Sequence, residues 1–354
     1  MNNSLDNFFI YGAYGYTGRL ITDYAIRQGL KPIIGGRDKS KIKQLAEANE
    51  LEYFVLEAND KEKWDQVFKR VKLVLNCAGP FALTVKHIVP WCIEHGVHYL
   101  DITGEIEVFE FIQGLHETAS NRNVVLMPGV GFDVVPSDCL SAQLHDKLPS
   151  ATHLELAFQG TSGVSRGTAL SMARRYHNGG TMRIDGQLVS VPLAHEVKMI
   201  HFGEQDRLCV SIPWGDVFTA FYTTHIQNIK VFTGISIKTL KSLRLYRKFK
   251  SIAKTQVVQW VLQKIIRSKI DGPSAIKRAT CLTHLWGKAI DKNNNQSIEA
   301  ELTTPESYYL TSLTAIEATK RVLKGKCPVG YQTPALAFGK DFVLSFDKVK
   351  LQFN

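Results

Sequence analysis

The sequence lacks the features that would place it in a specialised class of protein. Its 354 residues include six cysteines, no two of which form a Cys-x-x-Cys pair, so we expect neither a disulfide framework nor a zinc or other metal site. No apolar run reaches the roughly 18 residues that a membrane-spanning helix needs, and the first residues do not resemble a signal peptide. Internal repeats and low-complexity linkers are also missing. These absences predict a globular protein of the cytoplasm.

Positive charge is concentrated in one part of the chain. The formal net charge is +10, yet twelve of the 43 Lys and Arg and only one of the 33 acidic residues lie between Lys238 and Arg278. The other 31 basic and 32 acidic residues nearly balance, so we expect no nucleic-acid partner. Within residues 238–270 apolar side chains alternate with the cations, as on amphipathic helices. This pattern fits peripheral attachment to an anionic membrane, contact with an acidic carrier protein or substrate, or an ordinary solvated helix face.

The hydrophobic pattern of the first part predicts a doubly wound parallel sheet of the Rossmann type, because short apolar runs alternate there with helical patterns. The predicted strands are 8–11, 32–36, 53–56, 71–77, 98–102 and 124–127. After Pro136 the pattern changes, and Ser137 is expected to cap a helix that ends near Lys147. Further strand-like stretches are 153–158, 208–212, 218–224 and 228–232, followed by a helical stretch over 238–270, a hairpin turn at 291–296 and a final helix over 308–323.

These patterns predict an α/β protein with two domains. The first is a nucleotide-binding Rossmann domain over residues 1–136. The second, over 137–325, is an α+β domain with a mainly antiparallel sheet, which would bind substrate or form a homodimer and which includes the basic segment 238–270. A C-terminal segment over 326–354 could return to the Rossmann domain.

A glycine-rich loop directly follows the first predicted strand. Its residues, in the spacing G-x-x-G-x-x-G, are Gly12, Ala13, Tyr14, Gly15, Tyr16, Thr17 and Gly18. Gly12 permits a tight turn, Gly15 lets the backbone approach a pyrophosphate, and Gly18 allows close helix–strand packing. The N-terminus of the following helix offers N–H groups to phosphate. Because the loop joins a strand to a helix at the start of a βαβ series, it predicts a dinucleotide site.

The residues after the second predicted strand bear on the choice of nucleotide. Arg37 is the first side chain beyond the strand and can bind a 2′-phosphate with its planar guanidinium group. Asp38 could instead bond the ribose 2′-OH of NAD, or it could simply cap the next helix. Lys39 adds positive charge nearby. We predict that NADP(H) is preferred over NAD(H).

Further candidates follow the fourth and fifth strands. Cys77, Ala78, Gly79, Pro80 and Phe81 follow the fourth strand and are expected to contact the nucleotide. We interpret the Cys77 thiol as a small packing group. After the fifth strand, Asp101 or Glu105 could take part in proton transfer if burial raised its pKa. Alternatively, both carboxylates bond loop backbone and order the site.

A second group of candidates lies in the second half of the chain. Arg166, Arg174 and Arg175 could hold a carboxylate or phosphate of the substrate, with Tyr176 as another proton donor. Surface charge on an exposed helix is the alternative explanation for the three arginines.

Together these motifs resemble the saccharopine dehydrogenase-like NADP-binding oxidoreductases, above all the bacterial branch called trans-acting enoyl reductases. The residues that carry the resemblance are 12–18, 36–38, 76–80, 99–105, 129–138, 272–274, 285–287, 307–311 and 330–335. The resemblance implies hydride transfer from NADPH to an activated C=C or C=N bond of a small-molecule or acyl-type substrate. The alternative is a non-catalytic NADP-binding sensor or scaffold that docks to a membrane or partner through its basic helices.

Overall fold

The computed structural model describes residues 7–160, 162–175, 179–203, 205–248 and 255–354. The chain divides into two compact units. One unit comprises Met1–Val135 and Tyr308–Gly339, and the other comprises Pro136–Ser307 and Lys340–Asn354. The structure therefore differs from the expected division: the late stretch 308–339 belongs to the first unit, and the last fifteen residues to the second.

The first unit is built on a parallel sheet. Its strands are β1 (Phe8–Tyr11), β2 (Ile33–Gly36), β3 (Tyr53–Val55), β4 (Leu73–Asn76), β5 (His98–Asp101), β6 (Val125–Met127) and β15 (Gly330–Tyr331). Among the described residues their order is β15-β6-β5-β4-β1-β2-β3, which confirms the predicted doubly wound sheet. Every residue of β1 and β4 is buried, as expected for central strands covered on both faces. The two-residue strand β15 was not predicted because it is too short to show a hydrophobic pattern.

Helices cover this sheet. They are α1 (Tyr16–Arg27), α2 (Lys39–Asn49), α3 (Lys61–Phe68), α4 (Phe81–His95), α5 (Ile106–Gln113), α6 (His116–Asn121), α13 (Ser307–Leu323) and α14 (Pro334–Phe338). Helix α13 belongs to the first unit because of its packing: Ala315 and Ile316 lie in one buried cluster with Phe8 and Ile10 of β1. Burial of these apolar side chains outweighs the long separation along the chain.

The second unit contains a larger mixed sheet. Its described strands are β7 (His153–Gly160), β8 (Gly180–Ile184), β9 (Gln187–Val191), β10 (Val197–Phe202), β11 (Gln205–Ser211), β12 (Asn228–Gly234), β13 (Leu282–Asp291), β14 (Gln296–Pro305) and β16 (Lys350–Phe353). The main path is β10-β11-β12-β7-β13-β14-β16, and β8 joins β12 and β9. Of these pairings β12 with β7 is parallel and the others are antiparallel, so the predicted mainly antiparallel character is confirmed.

Several helices of the second unit correct the sequence-based expectations. The helices are α7 (Val135–Lys147), α8 (Arg166–Arg175), α9 (Asp216–Thr224), α10 (Ile237–Lys248), α11 (Gln256–Lys269) and α12 (Ala275–Thr280), with a short 3-10 helix at Phe342–Ser345. Because α7 begins at Val135, Ser137 lies inside it rather than at its cap, and its carbonyl accepts from the Ser141 hydroxyl at 2.7 Å. None of the described helices is long and apolar enough to cross a membrane.

The stretch 218–224, predicted as a strand, belongs to helix α9. Its aromatic and β-branched residues favour a strand locally. However, residues 216–220 and Thr224 are buried in the folded unit, so tertiary packing decides the outcome. His225 ends the helix in the left-handed conformation, with φ of 58°.

Candidate functional site

The glycine-rich loop brings three strand ends into direct backbone contact. Gly12 adopts a φ of 82°, and its N–H donates to the Gly35 carbonyl at 2.8 Å. A Cβ atom at Gly12 would lie 2.9 Å from the backbone nitrogen of Ala78, and one at Gly18 would lie 2.3 Å from the Gly12 carbonyl oxygen. Gly15 is the N-cap of α1, and a glycine has no side chain that could accept from the first-turn N–H groups. This arrangement fits a pyrophosphate group.

The other residues of the loop support it in different ways. Ala13 is fully buried, and its N–H donates to the Gly35 carbonyl at 3.3 Å. The Tyr16 ring packs edge-on against the ring of Tyr308 with centroids 5.0 Å apart. Thr17 is half-buried in the first turn of α1. The loop residues predicted from sequence are therefore brought together in one turn.

At the end of β2, the structure separates the roles of Arg37 and Asp38. Asp38 is the N-cap of α2 and accepts from the Lys41 N–H at 3.1 Å. This hydrogen bond lowers the pKa of the Asp38 carboxyl. The Asp38 N–H donates to the Tyr14 hydroxyl at 3.3 Å, so the Tyr14 ring lies beside the strand end. Arg37 is exposed next to this cap. The helix-capping alternative for Asp38 thus describes its contacts, and binding of a 2′-phosphate by Arg37 stays a prediction.

A buried hydrogen-bond network positions Ala78 against Gly12. The Ala78 N–H donates to Asn76 Oδ1 at 2.9 Å. Asn76 Nδ2 donates to the hydroxyls of Thr84 at 2.9 Å and Tyr99 at 3.0 Å. Sequence analysis missed this network. The available signal was an asparagine at the end of an otherwise apolar strand, since a buried amide needs partners.

Asp101 extends the network to the loop after β6. It is fully buried, and its Oδ2 accepts from the Tyr99 hydroxyl at 2.9 Å. Its Oδ1 accepts from the N–H groups of Thr103 and Gly129, both at 3.0 Å. Burial raises the pKa of Asp101 to about 7 although these three donors oppose the shift. The carboxylate therefore joins β5 to the chain that follows β6.

The Glu105 carboxylate, like that of Asp101, accepts hydrogen bonds from backbone N–H groups, in this case at the start of α4. It accepts from the N–H groups of Ala82 at 3.0 Å and Phe81 at 3.4 Å. These are orphan donors of the first helical turn, where a negative charge is favourable. Both predicted carboxylates thus bond loop backbone, as in the alternative interpretation. Their participation in proton transfer stays a prediction.

The residues after β4 present mainly backbone to the strand edge. Cys77 packs against the central cluster of the first unit, and burial, followed by the charge of Asp101, raises the pKa of its thiol. A neutral thiol is a poor nucleophile, in agreement with a packing role. Gly79 is exposed, Pro80 is the N-cap of α4, and the half-buried Phe81 begins the helix.

The substrate candidates of the second unit are only partly described. Arg166 Nε donates to the Ile270 carbonyl at 3.0 Å, and its guanidinium group forms an ion pair with Asp271. Arg174 and Arg175 end helix α8, but their side chains and the whole of Tyr176 lie outside the described residues. Substrate contact by these residues stays a prediction. Across the described ranges, no cluster of three or more His, Cys, Asp or Glu could hold a metal ion.

Replacing Asp101 by asparagine tests its structural role. Asp101→Asn should lower the free energy of unfolding by about 2 kcal/mol. The amide nitrogen of asparagine cannot accept a hydrogen bond, so the buried donors that face one of the two carboxylate oxygens lose their acceptor. The folded carboxyl has a pKa of about 7 instead of 3.8, so its titration stabilises the wild type at low pH. This contribution to the free energy of unfolding is fully present at pH values below the pKa that the carboxyl has in the unfolded chain. It is lost as the pH rises through the pKa that the carboxyl has in the folded protein. Chemical denaturation of both proteins across this pH range measures the difference.

Asp60 offers a control of opposite sign. It caps α3 and accepts from the Lys63 N–H. The hydrogen bond from the Lys63 side-chain ammonium, followed by the one from this backbone N–H, lowers the pKa of its carboxyl. Relative to Asp60→Asn, the wild type should therefore gain stability as the pH rises through the acid range. Parallel pH profiles for the wild type and Asp101→Asn would show that Asp101 does not titrate as described.

Comparison with known proteins agrees with this geometry. Residues 8–127 match the family model of the saccharopine dehydrogenase NADP binding domain. A saccharopine dehydrogenase-like oxidoreductase of Mus musculus is 29% identical over 149 residues, which are 36% of this chain and 35% of that protein. A trans-acting enoyl reductase of Mycobacterium bovis is 24% identical over 144 residues, or 38% of this chain and 34% of that protein. The chain thus spans about a third of the length of these curated relatives.

A solved structure extends the similarity of fold. The apo saccharopine dehydrogenase (L-Glu forming) of Saccharomyces cerevisiae superposes with a TM-score of 0.66. The alignment covers 99% of this chain and 100% of that chain, at 13% sequence identity. At this identity the likeness shows a shared fold.

Proposed function

We propose that this chain is an NADP(H)-dependent oxidoreductase that transfers a hydride to an activated C=C or C=N bond, since residues 8–127 match the model of the saccharopine dehydrogenase NADP binding domain. The observation that carries the proposal is the backbone contact among Gly12, Gly18 and Ala78 at the carboxyl edge of the parallel sheet. In open α/β sheets this edge is where nucleotides bind.

The chain's own residues would bind and orient the nucleotide. The loop 12–18 and the first turn of α1 supply backbone N–H groups to the pyrophosphate. Arg37 binds the 2′-phosphate, since Asp38 is occupied as the cap of α2. Asn76 holds Ala78 in place through its side-chain oxygen. When bound, NADPH supplies the hydride for the reduction.

The proton that completes the reduction comes from a protein acid or from water. Asp101 and Glu105 hold backbone groups of the same rim, so we assign them a positioning role first. With its pKa raised to about 7, Asp101 can also retain a proton near neutral pH. The names of two relatives favour different substrates: saccharopine suggests a C=N bond, and enoyl reductase suggests a C=C bond.

Single-turnover oxidation of NADPH is the experiment that tests the proposal. The protein with stoichiometric NADPH is mixed with enones, imines or acyl thioesters, and the loss of nicotinamide absorbance is followed. We expect stoichiometric oxidation with one of these classes and none in the absence of substrate. Tight NADPH binding without turnover on any class would instead favour the non-catalytic sensor or scaffold. The variant Gly18→Ala, which we expect to lose NADPH binding, serves as the matched control.

A further inference from the structure

In the described part of the chain the basic segment consists of helices α10 and α11, and we extend it to include the helix that follows, α12. Residues 249–254, between α10 and α11, lie outside the described residues. Two of the helices have an inner side that packs on the second unit. Leu240 of α10 lies in a buried cluster with Ala194 and Val210. Ile266 of α11 lies in another with Ala169 and Ala173. Only some of the apolar side chains of the segment therefore pack against the rest of the second unit.

The outer side of the segment, by which we mean the solvent-exposed side chains of its three helices, includes large apolar groups. Ile237 and Leu245 of α10, Trp260 and Ile265 of α11, and Ile276 of α12 are each about half or more exposed, Trp260 by 62% and Ile276 by 75%. Single exposed apolar residues are common on soluble proteins. Several large ones along one short segment indicate a contact surface.

Cations surround these apolar side chains. Exposed basic residues on the three helices are Lys238, Lys241, Arg244, Arg247, Lys264, Lys269 and Lys277. Lys264 Nζ lies 5.1 Å from the ring centre of Trp260, so charge and aromatic surface are directly adjacent. The single acidic residue of the segment, Asp271, is paired with Arg166 of α8. A solvated helix face would ordinarily mix charges of both signs.

We propose that the outer side of the basic segment docks the protein on an anionic lipid bilayer surface. Lysine and arginine side chains meet the lipid phosphates, while Trp260 and the exposed aliphatic side chains enter the boundary between headgroups and acyl chains. A bilayer adapts to apolar groups carried on three separate helices, whereas an acidic protein would need a matching set of pockets. The proposal concerns the second unit and does not depend on the identity of the reduced substrate.

Vesicle binding by the full-length chain tests the docking surface. Vesicles are made of phosphatidylcholine alone or of phosphatidylcholine mixed with phosphatidylglycerol, and bound protein is measured by co-sedimentation at several salt concentrations. We expect binding to the anionic vesicles only, weakening as salt rises because screening reduces surface electrostatics. Equal binding to both kinds of vesicle, or none to either, would overturn the proposal. So would preferential capture by an acidic acyl carrier protein added in competition.

Charge-removing variants locate the surface. The double variant Lys241→Gln/Lys264→Gln should bind anionic vesicles roughly 30-fold more weakly, equivalent to about 2 kcal/mol for two interfacial cations. The matched control Lys292→Gln/Lys324→Gln removes two exposed cations elsewhere and should bind like the wild type. Equal losses in the two double variants would show that net charge, not this surface, drives binding. An unchanged circular dichroism spectrum and thermal unfolding curve confirm that each variant is folded.

Trp260 provides a readout that does not depend on removing charge. Tryptophan emission of the wild type should shift to shorter wavelength when anionic vesicles are added, because the exposed ring enters a less polar medium. Trp260→Phe should still sediment with the vesicles but lose this shift. A shift that persists in Trp260→Phe would place the contact elsewhere and overturn the assignment.

Discussion

Replacing Gly18 by alanine should abolish NADPH binding. The new Cβ atom would lie 2.3 Å from the Gly12 carbonyl oxygen and 3.0 Å from Ala13 Cα, both backbone neighbours. The clash can be relieved only by moving the turn that binds the pyrophosphate, so we expect affinity to fall about 1,000-fold, equivalent to about 4 kcal/mol. In an exposed helix the same change would be stabilising by about 1 kcal/mol. Titration of NADPH fluorescence measures the loss.

Gly167 provides a matched control for this variant. It also lies in the first turn of a helix, α8, but its nearest neighbour for a new Cβ is the Ser165 hydroxyl at 3.8 Å. Gly167→Ala should therefore bind NADPH like the wild type and unfold at the same or a higher temperature. Wild-type affinity in a folded Gly18→Ala variant would mean that the nucleotide does not use this loop.

Replacing Arg37 by alanine should change the choice of nucleotide. We expect NADPH affinity to fall roughly 100-fold and NADH affinity to change little, because only NADPH carries the 2′-phosphate that a guanidinium group can bind through two charge-assisted hydrogen bonds. The corresponding free energy is about 3 kcal/mol, at the upper end for hydrogen bonds to charged groups. Binding constants for both nucleotides, measured in the same buffer, give the ratio.

Two neighbouring substitutions separate this effect from general electrostatics. Lys43→Ala removes an exposed cation from α2, the helix that follows Arg37, and should leave the ratio of NADPH to NADH affinity unchanged. Asp38→Asn retains a side chain that can cap α2 and should also leave it unchanged. Equal losses of both nucleotides in Arg37→Ala would contradict the assignment. A large gain or loss of NADH affinity in Asp38→Asn would assign the ribose contact to Asp38 instead.

The features predicted best from sequence are those specified by neighbouring residues. The central strands β1 and β4 are short apolar runs because both of their faces are buried, and the loop 12–18 needs glycine at fixed positions. The hairpin turn between β13 and β14 is likewise local: the Asp291 side chain accepts from the N–H groups of Asn293 and Asn294. In such features the same contacts determine both which residue types occur in the sequence and which structure those residues form.

The features that were missed depend on which elements become neighbours. Asn76 and Tyr99 are 23 residues apart, and their hydrogen bond exists because β4 and β5 pair in parallel with Asn76 opposite Asp101. Strands β8 and β9 were missed because several residues of β9 are exposed, so the hydrophobic alternation is weak. No pattern within the stretch 308–323 indicated that helix α13 would pack on strands formed three hundred residues earlier.

The position of α13 has a consequence for biosynthesis. Because the first unit contains Tyr308–Gly339 as well as Met1–Val135, a ribosome must synthesise all of Pro136–Ser307 in between before that unit can close its core. Until then the apolar groups that α13 covers, such as Phe8 and Ile10, have no partner from this helix. The nascent chain therefore exposes apolar surface for longer than a chain in which each domain is continuous in sequence. Chaperones bind such exposed apolar surface.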